Sequence, residues 1–433
     1  MDAPNERAAL WSWVSAGTGL VLVIAAVAVP RISGADVRVH WPPLHADVRT
    51  ALPPFLLAAV ALGLALALFA PAVIERLSWP RAVAATTGVS YVWTLGLALS
   101  EGREGLARVF SRMGEYRYDA RRVGDVSSML HGFIERIPRD TVDHWHTHVA
   151  GHPPGALLSF VLLDRIGVTS AFWVGVVVVT VGSTAVAAVM LTLKQLAGEP
   201  FARRAGIWIA LAPAAVWAGV SADWYFAAVA AWGLLLLARA AVTRSALTGI
   251  AAGLLLGWCV FLSYGLVLMA IPALAVVWVT KGWRVLPAAI GGALAVTAAF
   301  WSAGFSWWTA FPVLHERYYA GMAAERAYSY WVWADLAAWT FALGLATWAA
   351  APAVLRAARN RDAGAIVVLS AVAAVGVASL SGMSKAEVER IWLPFSVWVL
   401  AAGALLSSRW RRPLLVSQVA MALAVQALLL TKW

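Results

Sequence analysis

The residues best equipped for chemistry lie between positions 100 and 167. Glu115 and Asp119 stand four apart in GEYRYD, so on a helix they would share a face. Arg117, Arg121 and Arg122 surround them. A carboxylate beside guanidinium groups can take a proton from a hydroxyl while the cations hold an anion. The same residues in a solvated loop would only form salt bridges, and the spacing leaves both readings open. Further on, His144, His146 and His148 recur with a period of two, separated by Trp145 and Thr147. In an extended segment that period puts three imidazoles on one face. The pattern is compatible with a divalent metal completed by Asp143 or His152. The alternative is a set of polar loop residues bonded to backbone and headgroups. The spacing is not HExxH, and the single Cys, Cys259, supplies neither a disulfide nor a Cys-based zinc site.

What must position these residues follows from composition. The chain has 433 residues, of which 62% are hydrophobic and 13% charged. Ordinary globular chains run at ~45–50% and ~25%, so too few charges exist to coat a soluble surface. No GxGxxG or GxxxxGK[ST] occurs, which argues against dinucleotide and P-loop enzymes. The net charge of +11 is not read as a nucleic-acid footprint, because no basic cluster interleaved with aromatics lies outside the apolar runs. Basic residues in such a chain chiefly fix topology. The fold class expected is an all-α polytopic membrane protein, one transmembrane domain over 1–433 with the lipid bilayer as its first partner.

A crossing helix needs about 20 apolar residues. Thirteen candidate stretches are present: 11–29, 54–74, 82–99, 168–193, 206–220, 223–241, 246–261, 264–280, 286–303, 334–353, 363–381, 391–407 and 413–431. The first follows the charged Asp2, Glu6 and Arg7 and lacks a small-residue cleavage site, so it is read as retained. If all thirteen alternate, the basic turns Arg76–Arg81, Lys194–Arg204, Arg239–Arg244, Lys281–Arg284, Arg356–Arg361 and Arg409–Arg412 share one side. The positive-inside rule makes that side cytoplasmic. The expectation is a multi-pass protein of the cell membrane with its N-terminus in the cytoplasm. The opposite side receives all eight His residues and every acid except Asp2, Glu6, Glu75, Glu199 and Asp362. Chemistry is therefore expected on the outer face, in the loops 30–53, 100–167, 304–333 and 382–390 and the turn near Asp223.

The loop 100–167 is too polar to cross a bilayer. Within it, Val126, Met129, Leu130, Phe133, Ile134 and Ile137 recur at spacings of three and four, which predicts an amphipathic helix over 125–137 lying on the membrane surface. The pair Pro153–Pro154 predicts the start of a second interfacial or re-entrant helix through 155–163.

The order of these features resembles the GT-C fold glycosyltransferases that use polyprenyl-phosphate sugars, including actinobacterial arabinosyl- and mannosyltransferases. In that superfamily a long outer loop carries an acidic residue, followed by an [HK]PP[LG] segment that opens an interfacial helix. Here His152-Pro153-Pro154-Gly155 is similar to the second element. The span 168–193 with the turn ending Ala202-Arg203-Arg204 resembles the small-residue span and basic turn that follow. Ser221-Ala222-Asp223-Trp224-Tyr225-Phe226 looks like its short outer turn. AGLLLGWCVFLSYGL, from Ala252 to Leu266, resembles a later span, and Glu389-Arg390-Ile391-Trp392-Leu393-Pro394 a late outer motif. The likeness covers roughly 82–407. It departs from the family in lacking Asp-Glu or Asp-x-Asp early in the first loop, where Gly114-Glu115-Tyr116 stands nearest, and in having two extra leading spans.

The resemblance implies a GT-C-like fold of about 13 helices with interfacial helices in a catalytic loop 100–167. It implies transfer of a sugar from a polyprenyl-phosphate donor to a hydroxyl of a glycan, lipid or protein acceptor. Glu115 or Asp119 would be the general base, with Glu115 preferred for its place in the Glu-Tyr pair. Arg390, with Lys385 or Arg165, would bind the donor phosphate, although Arg390 lies close enough to Glu387 and Glu389 to be held in a salt bridge instead. Arg117 is another outer-face candidate for stabilising the leaving phosphate, with Arg317 and Arg326 as more remote cations. Tyr116, His148, His152, Asp223 and Tyr330 are candidate substrate contacts, and Trp307 and Trp308 could stack on sugar or isoprenoid. No cofactor is required by the sequence beyond the metal that His144, His146 and His148 could hold. The competing class is a lipid or solute transporter or flippase. It is disfavoured because no internal repeat is visible and the ionisable residues gather in outer loops rather than mid-span.

Overall fold

The computed structural model describes residues 6–432, so Asp2 lies outside the described residues. The chain is an almost wholly helical, multi-pass membrane protein. Seven helices are long and apolar enough to cross a bilayer: Ala9–Ser33, Leu56–Arg76, Trp79–Leu99, Ala171–Ala197, Asp223–Thr243, Trp283–Ser302 and Ala363–Leu380. An eighth results if the bent pair Tyr328–Leu343 and Leu345–Arg359 is one span. The remaining apolar stretches are shorter helices, among them Ala246–Leu262, Tyr264–Thr280 and Leu393–Leu405. By length and composition seven helices, or eight with the bent pair, are long enough to cross unaided, and the other stretches of the thirteen are shorter or broken helices that this length criterion does not count.

Two of those stretches are interrupted. The stretch 206–220 breaks between Glu199–Ala210 and Ala215–Ala218, at Pro213. Proline removes a donor and blocks the preceding turn. In hydrocarbon the freed backbone groups need partners, and the Ala214 N–H finds one in the Ala342 carbonyl (2.9 Å). The stretch 334–353 bends by 102° at Gly344, whose φ of +75° suits glycine. There the Leu343 carbonyl accepts a 2.7 Å hydrogen bond from Gln418, a buried amide on the helix Ser408–Leu428. The last stretch also ends as a strand, Leu429–Thr431, which pairs antiparallel with Ala46–Val48.

Small residues set the helix spacing. Gly253 on Ala246–Leu262 lies so close to Leu286–Ser302 that a Cβ there would fall 1.9 Å from the Ala289 carbonyl oxygen. Lipid tails supply no hydrophobic drive between helices, so close backbone approach is what holds such a pair.

The predicted surface helix over 125–137 is shorter and more buried than expected. It forms as Val126–His131 with a 3₁₀ turn at Ile134–Arg136. Phe133 and Ile137 are fully buried, and Phe133 packs on Trp145 and Phe305. Its apolar side thus faces protein rather than lipid. The helix predicted after the Pro pair forms as Pro154–Arg165. Its first turn presses on Ala246–Leu262, where a Cβ on Gly155 would meet the Phe261 carbonyl at 2.5 Å.

Candidate active site

Four loops that are far apart in sequence meet at one end of the bundle. Glu115 precedes the short helix Tyr116–Ala120 with extended backbone. The Gly114 carbonyl accepts from the His148 N–H (3.1 Å), so the two loop segments are tied beside each other. His148 Nε2 then lies 3.2 Å from Glu115 Oε1. The His148 carbonyl in turn contacts His152 Nδ1 at 2.8 Å. Tyr116 stacks on Phe160 of the helix Pro154–Arg165, with ring centroids 5.0 Å apart, and meets His152 edge-on. The Tyr116 hydroxyl is buried and has no hydrogen-bond partner among the described residues. Every one of these side chains except His152, which is half-buried, is shielded from solvent or nearly so.

The other half of the cluster is an ion network. Arg390 Nη1 donates to Asp223 Oδ2 and Nη2 to Glu387 Oε2, both at 2.9 Å. Asp223, at the start of its helix, also accepts from the Ser221 hydroxyl. Glu387 Oε1 faces His45 Nδ1 at 3.4 Å and Arg326 Nη2 at 3.7 Å. The loop that carries Glu387 is constrained: Ala386 and Glu387 have φ of +68° and +65°, a region costly for residues with a Cβ. Neighbours hold it there, since the Lys385 N–H donates to the Tyr318 hydroxyl (3.1 Å) and the Ala386 N–H to Asp335 (3.0 Å).

Burial dominates the electrostatics. It pushes the Glu115 carboxyl up to about 7, with the Arg390 charge opposing and the Asp223 charge adding to the rise. Burial likewise holds the His148 imidazole well below its ordinary value, helped by Arg390 and His152. His152 is lowered for the same first reason. Burial also drives Glu389 up to about 8. Glu387 goes the other way: burial would raise it, but His45, Arg390 and Arg326 outweigh that and keep it ionised. Near neutral pH the site therefore pairs a carboxyl close to its midpoint with a neutral imidazole, beside a fixed carboxylate–guanidinium network.

Of the residues marked by sequence, Glu115, Tyr116, His148, His152, Asp223 and Arg390 come together here. The others are placed elsewhere. Asp119 is fully buried but turned into its own loop, where it accepts from the His146 N–H (3.1 Å) and meets His146 Nδ1 at 2.9 Å. The Lys385 ammonium donates to the Ala323 carbonyl (2.9 Å) and lies over the Tyr319 ring. Arg165 sits at the far end of the helix Pro154–Arg165 and donates to the Gly124 carbonyl (3.0 Å). Tyr330 donates to the Ala26 carbonyl (2.7 Å), bracing the first helix. The three alternating His do not share a face. His144 contacts the Thr141 carbonyl, His146 contacts Asp119 and His148 contacts Glu115. Among the described residues no group of three or more His, Cys, Asp or Glu side chains could hold a metal ion, so His144, His146 and His148 do not converge as a ligand set. His45 and Glu387 were not marked as site residues, and Arg326 only as a remote cation. Their one signal was membership of outer loops.

An apolar groove of about 580 Å³ lies nearby, lined by Phe261, Leu294, Trp301, Phe305, Trp307 and Trp308 among others. Its Phe261 wall backs onto Gly155, in the first turn of the helix that carries Phe160.

No family model matches the chain, and no curated protein matches it in sequence. Among solved structures it is similar to the oligosaccharyltransferase of Archaeoglobus fulgidus, crystallised in complex with Zn and sulfate. The identity is 15% and the TM-score 0.40, over 79% of this chain and 51% of that one. The chain thus spans about half the length of that protein.

Proposed function

We propose that the chain is a GT-C-type membrane glycosyltransferase, moving a sugar from a polyprenyl-phosphate donor to an acceptor hydroxyl on the outer face of the cell membrane. The observation that carries this reading is the buried Glu115–His148 pair set against the Arg390–Asp223–Glu387 network. In this reading the acceptor oxygen attacks the anomeric carbon, the bond from that carbon to the phosphate oxygen breaks, and the polyprenyl phosphate leaves with the bonding pair. Glu115 takes the hydroxyl proton. Arg390 exchanges one of its carboxylate contacts for a phosphate oxygen and stabilises the departing charge. Tyr116 and His152 line the sugar position. The apolar groove beside Phe261 takes the first isoprene units, and its exposed Trp301 and Trp308 suit an opening toward lipid.

The pH dependence is a direct test. The base form of Glu115 grows as pH rises through about 7. Transfer is therefore expected to climb about tenfold per pH unit below that point and to level off above it. A profile that is flat from acid to neutral pH would remove Glu115 from the role of base.

The same reading places the N-terminus in the cytoplasm. Ser127, exposed in the loop 100–167, and Thr243, exposed at a basic turn, report on it. Since Cys259 is buried, background labelling is low. In intact cells an impermeant thiol reagent is expected to label Ser127→Cys and to spare Thr243→Cys. The reverse pattern would invert the topology.

A further inference from the structure

The end of the helix Pro154–Arg165 away from Glu115 carries a second cluster that the proposed reaction does not use. Arg117 Nε donates to the Thr169 carbonyl at 2.7 Å, two residues before the span Ala171–Ala197 begins. This guanidinium therefore sits where hydrocarbon gives way to headgroups. Arg121 Nε lies 3.9 Å from Asp164 Oδ1, and the charges of Arg121 and Asp164 both act on Arg117. Arg165 follows Asp164 in sequence, donates to the Gly124 carbonyl and is exposed, as is Arg121. Asp164 faces Arg121 and precedes Arg165 in sequence. Asp125, which also feels Arg165, is committed to capping its own helix through the Ser128 N–H. Around the cluster Leu162, Ile166 and Trp173 are more than half exposed, an apolar collar at the same depth. Trp at a span's end is characteristic of the membrane interface.

We propose that Arg117, Arg121 and Arg165 form a docking site for the phosphate of an anionic membrane phospholipid, whose acyl chains lie along Leu162, Ile166 and Trp173. The cations match the headgroup's charge and the collar matches its tails. The site is roughly 16 Å from the first turn of the helix at ~1.5 Å per residue. It stands independently of the transfer reaction and is read without it. Its role is to fix the depth of the loop 100–167 at the bilayer surface.

The test uses the full-length protein in neutral detergent, with lipid occupancy read by native mass spectrometry. Phosphatidylglycerol is titrated against phosphatidylcholine, and inorganic phosphate is added as a competitor. At about a fivefold gain per basic residue near a surface, the parent is expected to prefer phosphatidylglycerol by roughly tenfold or more. The preference is expected to vanish in Arg117→Gln/Arg121→Gln/Arg165→Gln and to persist in the matching Lys variant. Raising salt to about 1 M, where the screening length is ~3 Å, should shrink it in the parent. Equal binding of both lipids by the parent, or a preference retained in the Gln variant, would overturn the proposal. If the Gln variant does not fold, the salt arm decides, and a salt-insensitive preference overturns it. Displacement of phosphatidylglycerol by millimolar phosphate would assign the site to free phosphate and overturn the lipid reading.

Discussion

Glu115→Gln is expected to lower transfer by about 10²–10⁴-fold, the range that removal of a general base produces, while the protein stays folded. The amide matches the carboxyl in size and can still face His148 Nε2, 3.2 Å away in the parent. It also avoids the desolvation that now holds the carboxyl at about 7, so stability should not fall. Donor binding should be nearly unchanged, because the loss belongs to the chemical step. Asp119→Asn is the matched control. Its carboxylate organises the backbone at His146 rather than facing the cluster, so its effect should be smaller and should appear as loop disorder and a raised KM. Turnover near the parental rate for Glu115→Gln, measured with donor and acceptor saturating, would dismiss it as the base. A larger loss for Asp119→Asn than for Glu115→Gln would exchange their roles.

Arg390 is expected to give the largest combined effect on stability and binding. Arg390→Ala strands the buried Asp223 and takes from Glu387 one of its three cationic neighbours, leaving His45 and Arg326. Breaking a buried pair in this way costs about 3–5 kcal/mol. The informative variant is Arg390→Lys. It keeps the charge but cannot reach both carboxylates and a phosphate with one planar fork. It should fold, and donor affinity should fall by about ten- to a hundredfold, the value of a lost charged hydrogen bond of ~1.5–3 kcal/mol. Binding of the parent and the Lys variant to a non-hydrolysable polyprenyl phosphonate sugar checks this. An unchanged dissociation constant would make Arg390 a structural ion-pair partner only.

The helical membrane architecture was legible because apolar runs and basic turns are dictated by the bilayer and survive in composition alone. The start of the helix at Pro154 was legible for a local reason, the fixed φ of proline at a helix's first turn. The breaks at Pro213 and Gly344 were hidden, since hydropathy averages over them and their cost is met by distant partners, Ala342 and Gln418. Glu115 and Asp119 looked interchangeable at i and i+4. They are not, because the helix starts only at Tyr116 and leaves Glu115 on extended backbone. The His periodicity misled for a related reason: helix Thr147–Ala150 begins after His146 and turns His148 away from its two neighbours. Arg390 could be read as an ion-pair member from Glu387 in the same loop, whereas its bond to Asp223 joins positions far apart in sequence. His45 reaches Glu387 from a loop secured by the strand pair Ala46–Val48 and Leu429–Thr431, a tertiary arrangement with no local trace.

The central claim is that this cluster transfers sugar rather than carrying lipid. It is tested most directly by product analysis with the purified parent protein in proteoliposomes. A polyprenyl-phosphate sugar labelled in the sugar is supplied on one side with a soluble alcohol acceptor, and both the glycoside and the released polyprenyl phosphate are measured. The account predicts that the two products appear in equal amounts, on the face that carries the loop 100–167, and that both disappear together in Glu115→Gln. Movement of intact donor between leaflets without release of polyprenyl phosphate, at a rate unaffected by Glu115→Gln, would contradict it.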